Sequence, residues 1–141
     1  MNYQMARPYF PEDEINWLLE EFKNILQGNA PLSMGSRVKE FEGTFANYVG
    51  ADYAVGTNSC TAALEIALRS IGIQKGDEVI IPAETFIATG SAVVSEGATP
   101  VFCDINPKSF CISLKELKKQ VTEKTKAVII VHMAGMISPD A

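Results

Sequence analysis

Two short stretches carry residue types and spacings that could do chemistry. Asn58-Ser59-Cys60-Thr61 is a run of small polar residues opening an Ala- and Leu-rich stretch. Where such a run starts a helix, unpaired backbone N–H groups and the positive end of the helix dipole make an anion site, and phosphate suits it best. The same residues also make an ordinary N-cap, through Asn58 or Ser59. Pro82-Ala83-Glu84-Thr85-Phe86 follows an apolar run, Val79-Ile80-Ile81. Phe86 at that place can lie flat against a ring, although a core phenylalanine is the commoner fate. Cys60 at a helix N-terminus can gain thiolate character, but a small buried or half-buried filler is the expectation here. Asp104, in Asp-Ile-Asn-Pro, reads as a turn residue. His132 reads as a hydrogen-bonded histidine to which no catalytic step is assigned.

Other chemistries lack their signatures. No Gly-x-Gly-x-x-Gly follows an apolar run, and no Gly-x-x-x-x-Gly-Lys-Ser/Thr occurs, so neither common nucleotide cradle is present. There is no Gly-x-Ser-x-Gly elbow for a hydrolase. Three widely spaced cysteines and one histidine make neither a disulfide framework nor a zinc site. A net charge of −5 argues against a basic face for nucleic acid. No apolar run approaches the roughly 18–20 residues needed to cross a bilayer, and the N-terminus lacks the plan of a secretory signal. The 141 residues, 47% apolar and 21% charged, suit one globular domain with a core. A soluble protein of the reducing cytoplasm follows, with no nucleic-acid or membrane partner.

The elements that must position these residues can be read from periodicity. Ile15, Leu18, Leu19, Phe22, Ile25 and Leu26 share one helical face between about Pro11 and Gln27. Burying those side chains is worth roughly 9–18 kcal/mol gross, so this helix is expected to dock on something. A second helix runs from about Ser36 to Val49, with Gly50 as its stop. Strand and helix then alternate: a strand at Tyr53–Thr57, a helix at Ser59–Ile71, a strand at Glu78–Pro82 and a helix at Thr85–Ser95. They continue as a strand at Pro100–Cys103, a helix from Leu114 to about Val121 behind the capping box Ser113-Leu114-Lys115-Glu116, and a strand at Ala127–Val131. Such alternation implies parallel crossovers with flanking helices. The continuous apolar runs Val79–Ile81 and Val128–Val131 suit strands covered on both faces. Ligands of such sheets gather at the carboxyl ends of the strands, where both stretches lie.

In this order the residues resemble the DegT-type nucleotide-sugar aminotransferases, which depend on pyridoxal phosphate (PLP). The resemblance rests on Gly35, Val38, Phe41-Glu42, Ala46, Tyr48-Val49-Gly50, Asn58 through Leu64 and Gly76-Asp77-Glu78-Val79-Ile80. It continues through Thr85-Phe86, Ala88-Thr89, Gly97-Ala98, Pro100-Val101-Phe102, Asp104, Thr125-Lys126-Ala127, Val131-His132 and Gly135, nearly the whole chain. It implies the α/β large domain of the fold-type-I PLP enzymes, a mostly parallel sheet with flanking helices. Residues 1–50 would be an N-terminal helical segment and 51–141 the first, incomplete part of that domain. Carried over, Ser59, Cys60 and Thr61 would hold the PLP phosphate, mainly through the N–H groups of Cys60 and Thr61, and Phe86 would stack on the pyridine ring. Family members commonly have glycine where this chain has Cys60.

The resemblance also implies a homodimer that moves an amino group, from glutamate, onto a nucleotide-linked keto sugar in polysaccharide or deoxysugar biosynthesis. Full-length members are much longer, and their Schiff-base lysine lies beyond the stretch matched here. The chain is therefore expected to be the N-terminal part of such an enzyme, inactive alone and without a catalytic residue of its own. The alternative is a non-catalytic ligand-binding or interaction module that keeps the phosphate turn without the chemistry.

Overall fold

Pro11 precedes α1 (Glu12–Leu26), whose first turn carries Glu12, Asp13 and Glu14, acids that complement the helix dipole. The chain is described by a computed structural model covering residues 8–139. These fall into two units, one through Gly56 and one from Thr57.

In the first unit, α2 (Ser36–Val49) ends at Gly50, which takes a left-handed φ of 71° that a side chain would oppose. Arg37 ties the two helices. Its Nε donates to Glu21 Oε2 at 2.8 Å and its Nη1 to Glu40 Oε2 at 2.9 Å, while the guanidinium lies 5.3 Å from the Trp17 ring centroid. The apolar face of α1 forms as expected, yet no residue of α1 is buried and Phe22 remains 64% exposed. The expected docking of that face is not found among the described residues.

The second unit contains α3 (Cys60–Ser70), β1 (Glu78–Pro82), α4 (Ile87–Ser95), β2 (Thr99–Cys103), α5 (Leu114–Gln120), β3 (Thr125–Val128) and a 3₁₀ turn (Met133–Gly135). The sheet order is β2-β1-β3, all parallel. Val79, Ile80 and Ile81 of the central strand are fully buried. On one face Val79 and Ile81 pack with Leu68 of α3 and Ala92 and Val93 of α4. On the other, Ile80 packs with Cys103 and Ile112, with Leu117 of α5 against them. Helices thus cover both faces.

Three expectations are corrected. Tyr53–Thr57 forms no strand: Tyr53 is 89% exposed, and the Gly56 N–H donates to Glu42 Oε1 at 2.8 Å instead of to a neighbouring strand. A strand exists only through its partner, and none pairs with this segment among the described residues. The run Val128–Val131 is not covered on both faces. β3 ends at Val128 and alternates half-buried and exposed: Ala127 packs against the core under α3 and α4, while Val128 on the opposite face is 38% exposed. Ser113 is the N-cap residue of α5, but its side chain makes no capping bond.

Candidate functional site

The direction of α3 decides what meets at the sheet edge. Its last turn is joined to β1 by a short segment through Gly72 and Gly76, so its C-terminus lies at the amino edge of the sheet. Arg69, in that last turn, pairs with Glu96 at the C-terminal end of α4, Nη2 to Oε1 at 2.8 Å. The two helices therefore run the same way. α4 follows β1 directly, so the N-termini of both helices face the carboxyl edge.

At that edge Ser59 is the N-cap of α3, with its hydroxyl accepting from the Ala62 N–H at 3.2 Å and donating to Asn58 Oδ1 at 3.3 Å. The capping side chain is Ser59 rather than Asn58. The Ala63 N–H already donates to the Ser59 carbonyl. Nothing among the described residues accepts from the N–H groups of Cys60 and Thr61, which leaves two donors at the positive end of a helix of 11 residues.

Cys60 lies inside the helix and is not among the residues of positive φ, which other than glycine are Met34, Phe110 and Ala134. Glycine is not required there by the backbone, so a cysteine leaves the turn intact. The expectation of a buried or half-buried filler is corrected: Cys60, the first residue of α3, is an exposed free thiol.

Phe86 precedes α4 and is 76% exposed. The core reading of this residue is thereby set aside. Behind it, the hydroxyls of Thr85 and Thr89 lie 2.8 Å apart, and the Thr89 N–H donates to the Phe86 carbonyl at 3.0 Å. This pair, which the sequence reading missed, was visible as threonines four apart across a helix start. Asp104 is not in a turn: it follows β2 directly in extended chain, its Oδ1 accepting the Ile105 N–H at 2.9 Å, and the turn comes at residues 107–109. His132 accepts at Nδ1 from the Ser138 N–H at 3.1 Å.

Two free N–H donors on a helix dipole, with an exposed aromatic on the neighbouring helix start, fit a phosphorylated ring compound such as PLP. Comparison with known proteins gives that arrangement a context. The model of the DegT/DnrJ/EryC1/StrS aminotransferase family matches residues 12–140.

The chain belongs to this family.

Among curated relatives, spore coat polysaccharide biosynthesis protein SpsC of Bacillus subtilis is 49% identical over 104 residues, covering 74% of this chain and 27% of SpsC. GDP-perosamine synthase of Caulobacter vibrioides is 43% identical over 105 residues, covering 74% of this chain and 28% of the synthase. A sugar aminotransferase of Streptococcus pneumoniae, described as putative and solved in a PLP form, superposes with a TM-score of 0.87 at 35% identity. That match covers 99% of this chain and 34% of the pneumococcal one. The chain thus spans about a third or less of the proteins it matches. The expected fold class is met, as part of the fold of PLP-dependent sugar aminotransferases. The cofactor of this DegT-type fold is pyridoxal phosphate, and solved members carry it or its pyridoxamine form. No helix among the described residues is long and apolar enough to cross a membrane.

Proposed function

We propose that this chain supplies the phosphate and ring contacts of a PLP-dependent aminotransferase that transfers an amino group, from glutamate, to a nucleotide-linked keto sugar. The observation that carries the reading is the pair of free N–H groups at Cys60 and Thr61, on the same sheet edge as exposed Phe86. Cys60 and Thr61 bind the phosphate through the backbone. Ser59 holds the helix start in register for them, and Phe86 orients the ring by stacking. When bound, PLP supplies the electron sink through which an amino group is exchanged for a keto oxygen. The working enzyme is a cytoplasmic homodimer in this reading.

The 141-residue chain alone is proposed not to turn over. Lys115, Lys118 and Lys119 sit on α5, and Lys124 and Lys126 lie at the amino end of β3, away from the carboxyl edge. Lys108 leaves that edge in the loop after β2 and is exposed. PLP titration followed by visible absorbance and borohydride trapping tests both parts. Saturable binding without a lysine adduct is expected. An adduct mapping to one lysine overturns the inactivity, and no binding overturns the site.

A further inference from the structure

A residue assigned no role lies at the same edge. β3 pairs with β1 in register Ile80↔Val128, and the Ile129 N–H continues the ladder to the Ile80 carbonyl at 2.9 Å. β3 itself ends at Val128, so His132, four residues on, lies in the segment that leaves the carboxyl edge of the sheet, the edge shared by Phe86 and the α3 N-terminus. His132 is exposed there.

Its ring is not free to choose a tautomer. After His132 the chain doubles back through Ala134 and Gly135, both left-handed, at φ 51° and 81°. The return brings the Ser138 N–H to His132 Nδ1 at 3.1 Å. A backbone N–H can only donate, so Nδ1 must accept and the ring proton sits on Nε2. Ser138 is itself buried, which holds that donor in place. Among the described residues nothing accepts from Nε2.

We propose that His132 is a fixed hydrogen-bond donor, through Nε2–H, to an oxygen of the ligand held between the α3 N-terminus and Phe86. The proposal rests on the PLP reading above. The loop determines which nitrogen carries the proton, and its place just after β3 puts the ring at the carboxyl edge of the sheet.

His132 is the chain's single histidine, so ¹⁵N-histidine labelling of the 141-residue protein gives one ring to follow. The free protein is expected to show the proton on Nε2, and added PLP to shift the Nε2 signal. In His132→Phe the dissociation constant for PLP, read by absorbance, is expected to rise roughly three- to tenfold, the loss of one hydrogen bond. His132→Gln, which returns an N–H donor near the same place, is expected to recover part of that loss. A proton on Nδ1 overturns the proposal whatever the variants do. PLP binding with unmoved ring signals and unchanged affinity in His132→Phe overturns it while leaving the phosphate site standing. Failure of the unsubstituted chain to bind PLP overturns the site reading and this contact together.

Discussion

Arg69 forks onto Glu96, with Nε 3.0 Å from Oε2 and Nη2 2.8 Å from Oε1. The pair ties the C-terminal ends of α3 and α4, the two helices whose N-termini put Cys60 and Phe86 on one edge of the sheet. Arg69 is exposed, whereas the Glu96 side chain is 7% exposed. The bidentate bond also pushes the Arg69 guanidinium above its ordinary range, the charge of Glu96 adding to it.

Arg69→Lys tests that tie. A lysine keeps the charge but cannot form both bonds at once. Thermal denaturation is expected to fall by a few degrees for Arg69→Lys and further for Arg69→Ala, which strands a nearly covered carboxylate. Equal stability in all three proteins would show that packing alone aligns the helices.

Ser59→Ala and Phe86→Ala separate helix start from ring contact. Losing the cap bond to the Ala62 N–H is expected to destabilise the chain by about 1 kcal/mol. Phe86 is exposed, so its removal is expected to change stability by no more than about 0.5 kcal/mol. PLP affinity is expected to drop roughly two- to tenfold in Phe86→Ala, in line with one lost aromatic pair. Chemical denaturation and PLP titration on the same samples read both. A large stability loss in Phe86→Ala would mean the ring is packed.

Much of this edge was legible beforehand, for local reasons. α2 and β1 lie where the sequence placed them, since Gly50 marks a stop and Val79-Ile80-Ile81 a buried strand without reference to anything distant. The phosphate turn was legible because Ser59 announces a helix start by its own chemistry. The failures concern partners. Tyr53–Thr57 has a strand-like composition, but pairing is a property of two segments. β3 was read as doubly covered because a run of apolar residues does not say whether its strand is central or flanking. Exposure of Phe86 and Cys60 likewise follows from how α3 and α4 pack on the sheet, a relation between segments that Arg69 and Glu96 join across 27 positions of sequence.

The three cysteines should divide by environment. Cys60 is exposed, and Cys103 and Cys111 are buried. Native alkylation is expected to label Cys60 alone, with the other two reacting only in denaturant. Burial pushes the Cys103 thiol above its ordinary 9.0, with Glu116 and Asp104 raising it further against a smaller opposing effect of the Ser113 backbone. The folded chain then keeps a proton that the unfolded chain releases, so stability is whole below pH 9.0 and is lost as pH rises toward the raised value. Denaturant midpoints measured across that range should fall, and in Cys103→Ala that alkaline loss should shrink. Identical alkaline slopes in the two proteins would rule out Cys103 as the source.

Trp17 is the chain's only tryptophan and belongs to the first unit. That unit buries little: α1 has no buried residue and α2 only Ala46, whereas the second unit encloses the Val79–Ile81 core. Its helices are tied by Arg37, whose bond holds the Glu21 carboxyl below its ordinary 4.5. A lowered carboxylate contributes stability at neutral pH that is lost as pH falls below 4.5 toward the lowered value. Tryptophan fluorescence in urea is therefore expected to report a transition at lower denaturant than far-ultraviolet circular dichroism, which averages over both units. Arg37→Met should move the fluorescence transition lower still and remove its dependence on acid, leaving the later part of the dichroism transition in place. Coincident transitions by both probes would mean that the first unit draws its stability from contacts beyond its own sparse core.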